Sequence, residues 1–171
     1  MVSPFSTAWK CAVLAFLLID LAGCASSGRS GKRVIEARGG HAVPGYGFSV
    51  DAHYESDLDR LVPPYKLLTI AIRNTSLSVI EMDPRKDRWT LVGEKGKKIQ
   101  AINQLRDRDR DRWERLPDEV KRLVEYPQAV PISYTVTSNL FFPSSARLER
   151  FSEIRYYNAA SGDLLKVFKE E

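Results

Sequence analysis

Asp107, Asp109 and Asp111, in the run RDRDRDRWER from Arg106 to Arg115, have the spacing with which alternate carboxylates open a calcium-binding loop. That chemistry also needs a glycine at the sixth position for a sharp turn and a bidentate glutamate at the twelfth. Those positions hold Arg112 and Asp118, and Arg106, Arg108, Arg110 and Arg112 alternate with the carboxylates and neutralise them. The run therefore predicts no calcium loop. It predicts no nucleic-acid surface either. Arg106 to Glu125 carries seven Lys/Arg and seven Asp/Glu, and displacing phosphate counterions takes a surplus of positive charge. His41 and His53 are the two histidines, and neither sits among cysteines or carboxylates at metal-ligand spacing. GRSGKR, Gly28 to Arg33, has part of a phosphate-binding loop, but Ser26 stands where its first glycine belongs and Arg33 where a Ser/Thr would hold magnesium. These patterns predict a protein without enzymatic activity, cofactor or metal.

Cys24 is different. It follows the apolar run CAVLAFLLI and the residues Asp20-Leu21-Ala22-Gly23. The run is too short to span a bilayer, which takes ~20 predominantly apolar residues, and suits the hydrophobic core of a signal peptide. Cys11 would be lost with that segment, leaving Cys24 without a disulfide partner. Leu21-Ala22-Gly23-Cys24 resembles the lipobox of bacterial lipoproteins. The resemblance implies that residues 1–23 are cleaved off, that the Cys24 sulfur receives a diacylglyceryl group, and that the new amine is acylated. Several acyl chains make such anchoring effectively permanent. Ala25 after the cysteine, by the same resemblance, implies the outer membrane, with the protein facing the periplasm.

The elements that follow must present something from that anchor. Residues 24–45 are rich in Gly and Ser and read as a flexible tether. The tether holds Arg29, Lys32, Arg33 and Arg38 against Glu36, a net +3 of the chain's +4. Its basic character lies beside the membrane, where anionic headgroups attract it. From Tyr46 the pattern alternates with period two. Tyr46, Phe48, Val50, Ala52 and Tyr54 share one side of YGFSVDAHY, and Leu68, Ile70 and Ile72 one side of YKLLTIAIRN. LSVIEM reads as a short strand, and RWTLVGEKGKKIQAI as a hairpin. VPISYTVT alternates Ile132, Tyr134 and Val136, and SEIRYYNAASGDLLKVFKE reads as two strands joined around Ser161-Gly162. LPDEVKRLVEY breaks the alternation: Leu116, Val120, Leu123 and Val124 have helical spacing after Pro117.

LTIAIRNTSLSVIEM, RWTLVGEKGKKIQAI, PISYTVTSNLFFP and SEIRYYN resemble the small immunoglobulin-like domains of bacterial envelope lipoproteins. The resemblance implies a mainly β, antiparallel sandwich of seven to eight strands over 46–171. The chain departs from it in one charged insert with a short helix, at about 105–126. Such domains share no active site, so the expected function is binding of another envelope component, a protein partner, or service as an accessory subunit of a secretion or envelope-assembly machine. Arg106, Arg108, Arg110, Arg112 and Trp113 are the candidate partner surface. Arg106 to Arg115 is expected to lie outside the core, so that a Gly/Ser replacement leaves folding intact, with Trp113 as the exception that either caps the sandwich or contacts a partner. Tyr126, Pro127, Leu140, Phe141, Phe142 and Pro143 read as packing residues near turns, with an exposed docking edge as the alternative.

Overall fold

Along Phe48–Tyr54, Tyr65–Asn74 and Phe151–Tyr157, where apolar and polar residues alternate, the chain is extended and its apolar side faces the core. The computed structural model of the protein describes residues 34–38 and 47–168. Cys24, the segment read as a signal peptide, His41 and the Gly28–Arg33 stretch lie outside the described residues. One sheet has the order β1 (Val34–Arg38), β10 (Leu164–Phe168), β9 (Phe151–Tyr157), β5 (Arg88–Gly93), β6 (Lys98–Gln100). The other has the order β2 (Phe48–Tyr54), β3 (Tyr65–Asn74), β8 (Thr135–Pro143), and β4 (Ile80–Glu81) pairs with β7 (Ala129–Val130). All pairs are antiparallel except β1 with β10. The protein is mainly β, an immunoglobulin-like sandwich: β2, β3 and β8 stand as strands A, B and E, and β5, β6, β9 and β10 as C, C′, F and G.

Ten strands among the described residues exceed the expected seven to eight, and the additions are elements whose pairing is not local. Val34–Arg38 lies within the segment read as a tether, yet it runs parallel to β10 in register from Val34 opposite Leu164 to Arg38 opposite Phe168. Gly and Ser around it dominate the local pattern, while its hydrogen-bonding partner comes from the other end of the chain. β4 and β7, two residues each, exist by pairing with one another. Leu77 and Val79, expected on a strand, are exposed in the turn before β4. Ile132 and Tyr134, expected in alternation with Val136, are exposed in the turn before β8. Ser133 between them has φ 65°, a left-handed conformation that ends extended structure there.

The main core lies between the sheets. Leu68, Ile70 and Ile72 meet Leu140 and Phe142 of the neighbouring strand and Trp89, Leu91 and Ile154 of the facing sheet in one buried cluster. Trp89 stacks on Tyr156 with centroids 4.1 Å apart and planes 14° apart. Antibody-type sandwiches pack a strand-C tryptophan against an inter-sheet disulfide; here a tyrosine on strand F supplies that contact. Ile70 is fully buried on the central strand of its sheet. Ile70→Ala should therefore cost about 3 kcal/mol through lost burial and a residual cavity, read as a lowered urea midpoint at unchanged slope.

A second core explains why Leu67-Leu68 and Leu140-Phe141-Phe142 are continuous apolar runs rather than alternating ones. Leu67 and Phe141 point to the outer face of the three-stranded sheet and are buried there with Val62, Leu105 and Val124. Their cover is the insert, in three helices rather than one: α1 (Leu105–Arg108), α2 (Arg110–Arg115) and α3 (Asp118–Val124). Trp113, Leu116 and Val120 are half-buried against this core, together with Leu58 and Leu61 of the 3-10 helix Ser56–Leu61. Of Arg106–Arg115, expected outside the core, Trp113 alone packs against it, which is the capping role left open for that residue. The insert's exposed charges point to water, Arg112 reaches the Pro63 carbonyl, and Leu105 and Trp113 close the sheet. Leu123, expected on the buried stripe of α3, is exposed. Tyr126, Leu140, Phe141 and Phe142 are core residues, which excludes them as a docking edge.

Candidate binding surfaces at the loop end and on the insert

The turns after β3, before β8 and between β9 and β10 gather at one end of the sandwich. Beneath them lies Asp87, which shares a face with Trp89 and Leu91 by the same period of two and is buried with them. Its Oδ2 accepts hydrogen bonds from Tyr126 Oη (3.1 Å), Tyr156 Oη (3.0 Å) and the Asp83 amide (3.1 Å), and its Oδ1 one from the Ala159 amide (2.9 Å). Trp89 Nε1 donates to Tyr126 Oη at 2.9 Å, and Asn158 Nδ2 to Tyr156 Oη at 2.7 Å. Asn158 Nδ2 also donates to the Glu81 carbonyl, and Asn103 Nδ2 to that of Asp87. Burial, the Tyr156 phenol and the Asp87 carboxylate push Tyr126 up, and burial and Asp87 push Tyr156 up, so both phenols stay protonated and serve as donors. One carboxylate thus joins the turn before β5, the segment after α3 and the β9–β10 turn.

A cleft of about 320 Å³ opens above this network. Ser76, Ser78 and Val79 line one wall, Asn158, Ser161 and Asp163 the other, and Tyr156 reaches it from the network. Gly47 lets the first wall close. Its φ is +66°, and a Cβ there would collide with the Cβ and backbone of Ser76. Asn74, fully buried, braces the same wall. Its Nδ2 donates to the Ser78 and Val130 carbonyls at 2.8 and 2.9 Å, and its Oδ1 accepts from the Ser76 amide and hydroxyl.

The sequence-derived candidates fall elsewhere. Arg106, Arg108 and Arg110 are exposed on α1 and α2. Arg112 and Trp113 are fixed to the fold. The Arg112 guanidinium donates to the Pro63 carbonyl and pairs with Asp109 at 3.1 Å, while Trp113 packs on the second core. The three aspartates are not arranged around a cation. Asp107 pairs with Arg85 at 2.9 Å, and Asp109 caps α2 by accepting from the Arg112 amide at 3.2 Å. Partial desolvation raises the Asp109 carboxyl, but the Arg112 amide and guanidinium outweigh it and hold it below the usual carboxylate range. Among the described residues no group of three or more His, Cys, Asp or Glu is placed to hold a metal. His53 is exposed on β2 and 3.3 Å from Glu55.

Sequence reasoning missed Asp87 and Asn158. Alternation extended backwards from Leu91 and Trp89 places Asp87 on the core face, the one signal available for it. Asn158 lies in the turn after β9 and shows no local signal. Comparison of the chain with protein-family models, with curated proteins and with solved structures returns no match.

Proposed function

We propose that this chain is a lipid-anchored envelope protein of the outer membrane, facing the periplasm, that acts by binding another envelope component rather than by catalysis. The observation that carries the binding role is the mounting of the insert. Helices α1 to α3 are held to the sheet by their own buried cluster, so Arg106, Arg108 and Arg110 are displayed from a braced platform rather than from a free loop. Fixed charges of this kind discriminate between partners and steer encounter more than they add affinity. The anchor rests on Leu21-Ala22-Gly23-Cys24 behind its apolar run.

The two parts are tested separately. Cys24→Ser should abolish incorporation of a fatty-acid probe and leave an unprocessed precursor; a variant that still labels and matures removes the anchor. Arg106→Glu with Arg108→Glu should leave the melting temperature within about 2 °C, since both side chains are exposed. The same pair should abolish co-purification of a partner crosslinked to the wild-type protein in intact cells. Retention of that partner removes the insert from the binding role.

A further inference from the structure

Leu77, Val79, Ile132 and Tyr134 are four of the five large hydrophobic residues exposed among those described, and Leu77 is 95% exposed. All four lie on two adjoining turns at the loop end. These turns are tied together by Asn74, whose side chain donates to the carbonyls of Ser78 and Val130 and whose amide donates to the Tyr134 carbonyl at 2.9 Å. Pairing of Ile80 with Val130 extends the tie. The apolar side chains are thus held outward by a braced frame.

The chain joins the sandwich at this same end. Val34, the first residue of β1, stands opposite Leu164, which follows the β9–β10 turn, and that turn faces Ser76 and Val79 across the cleft. Cys24 lies ten residues before Val34, and ten residues reach at most ~36 Å even when fully extended. The opposite end of the domain is farther by the length of a strand such as β3, whose ten residues rise ~34 Å. Arg29, Lys32 and Arg33 are the charged residues between Cys24 and Val34, with no acid among them. Arg73 is exposed one residue before Asn74. Exposed Arg73 beside an apolar tip, and a basic segment leading to the domain from Cys24, match an anionic lipid surface, and Tyr134 has the apolar body and polar end that suit the headgroup boundary.

We propose that the loop end is a membrane-docking tip, in which Leu77, Val79, Ile132 and Tyr134 enter the headgroup–acyl boundary of the leaflet that carries the Cys24 lipid. The proposal rests on the lipid-anchor reading and adds an orientation to it: the domain stands on its β3–β4 and β7–β8 turns, and the β5–β6 turn points away from the membrane.

The test uses the full-length protein, matured in its host and reconstituted into vesicles of phosphatidylethanolamine and phosphatidylglycerol. An environment-sensitive fluorophore is attached at Ser78→Cys, which leaves the four apolar residues in place, or at Lys95→Cys on the β5–β6 turn. Mass spectrometry of the N-terminal peptide establishes the lipid on Cys24 in each sample. Doxyl-labelled lipids should quench the Ser78→Cys probe about threefold more than the Lys95→Cys probe, and Leu77→Ser with Tyr134→Ser should remove most of that difference. Equal quenching at both sites in a lipidated protein overturns the docking tip and leaves the anchor standing. A Ser78→Cys probe shielded from aqueous iodide but unquenched by lipid overturns it in favour of a protein occupant. An unlipidated Cys24 overturns the anchor, and with it the docking tip.

Discussion

Asp87→Ala should destabilise the protein by at least ~4 kcal/mol and loosen the loop end before the rest of the sandwich unfolds. The substitution leaves two phenol hydroxyls and the amides of Asp83 and Ala159 without their acceptor. Each of the two buried phenols so stranded costs ~1–3 kcal/mol, and the two part-buried amides add to this. Removing a desolvated carboxylate offsets part of this, yet the balance remains large against the ~5–15 kcal/mol that holds a domain folded. Asp87→Asn keeps an acceptor and the shape while turning an amide donor towards other donors, so it should fall between alanine and wild type. Urea denaturation followed by near-UV dichroism measures the loss, and hydrogen exchange at Ala159 locates it. An alanine variant as stable as wild type would show that the loops are held by packing alone.

Replacing Arg106–Arg115 with a Gly/Ser linker should cost roughly 4–6 kcal/mol, contrary to what the charge run by itself suggests. The linker removes Trp113 from the second core, α2 together with its Asp109 cap, and the Arg112 guanidinium from the Pro63 carbonyl. It also uncovers Phe141 and Leu67, both fully buried in the intact protein. Closure entropy of a surface loop is small by comparison. The control is a chain in which Arg106, Arg108, Arg110 and Arg115, all exposed, become Ser while Asp109, Arg112 and Trp113 stay; it should melt close to wild type. Equal losses in both chains would assign the stability to surface charge instead of to the tryptophan and its cap.

The difference between these two chains shows where a linear pattern stops being informative. Charged residues make up most of Arg106–Arg115, so hydropathy places the segment in water, and for the charges it is right. One tryptophan decides the rest, and whether its ring meets solvent or a sheet depends on Phe141 and Leu67, which lie far from it along the chain. The doubled leucines of β3 and the Leu-Phe-Phe of β8 hinted that this sheet is covered on both faces, since one-sided strands alternate. What covers the outer face is not local information.

What the sequence by itself determined is the set of strands whose alternation runs through their own residues. β2, β3 and the β5–β6 and β9–β10 hairpins follow from period two and from turns such as Gly96 and Gly162, both with positive φ. Those signals are local because a pleated strand exposes alternate side chains whatever its neighbour is. Tertiary structure alone decided the rest. The parallel seating of Val34–Arg38 on β10 depends on an edge built at the other end of the chain. The role of Asp87 depends on Tyr126, Tyr156 and Ala159 arriving from three separate segments. Leu77 and Tyr134 read as strand residues, and they are exposed because Asn74 holds both turns in shapes that present them outward. Periodicity records which residues can be buried together; only the assembled sheets, by bringing distant donors, acceptors and apolar faces into reach, select which of them are.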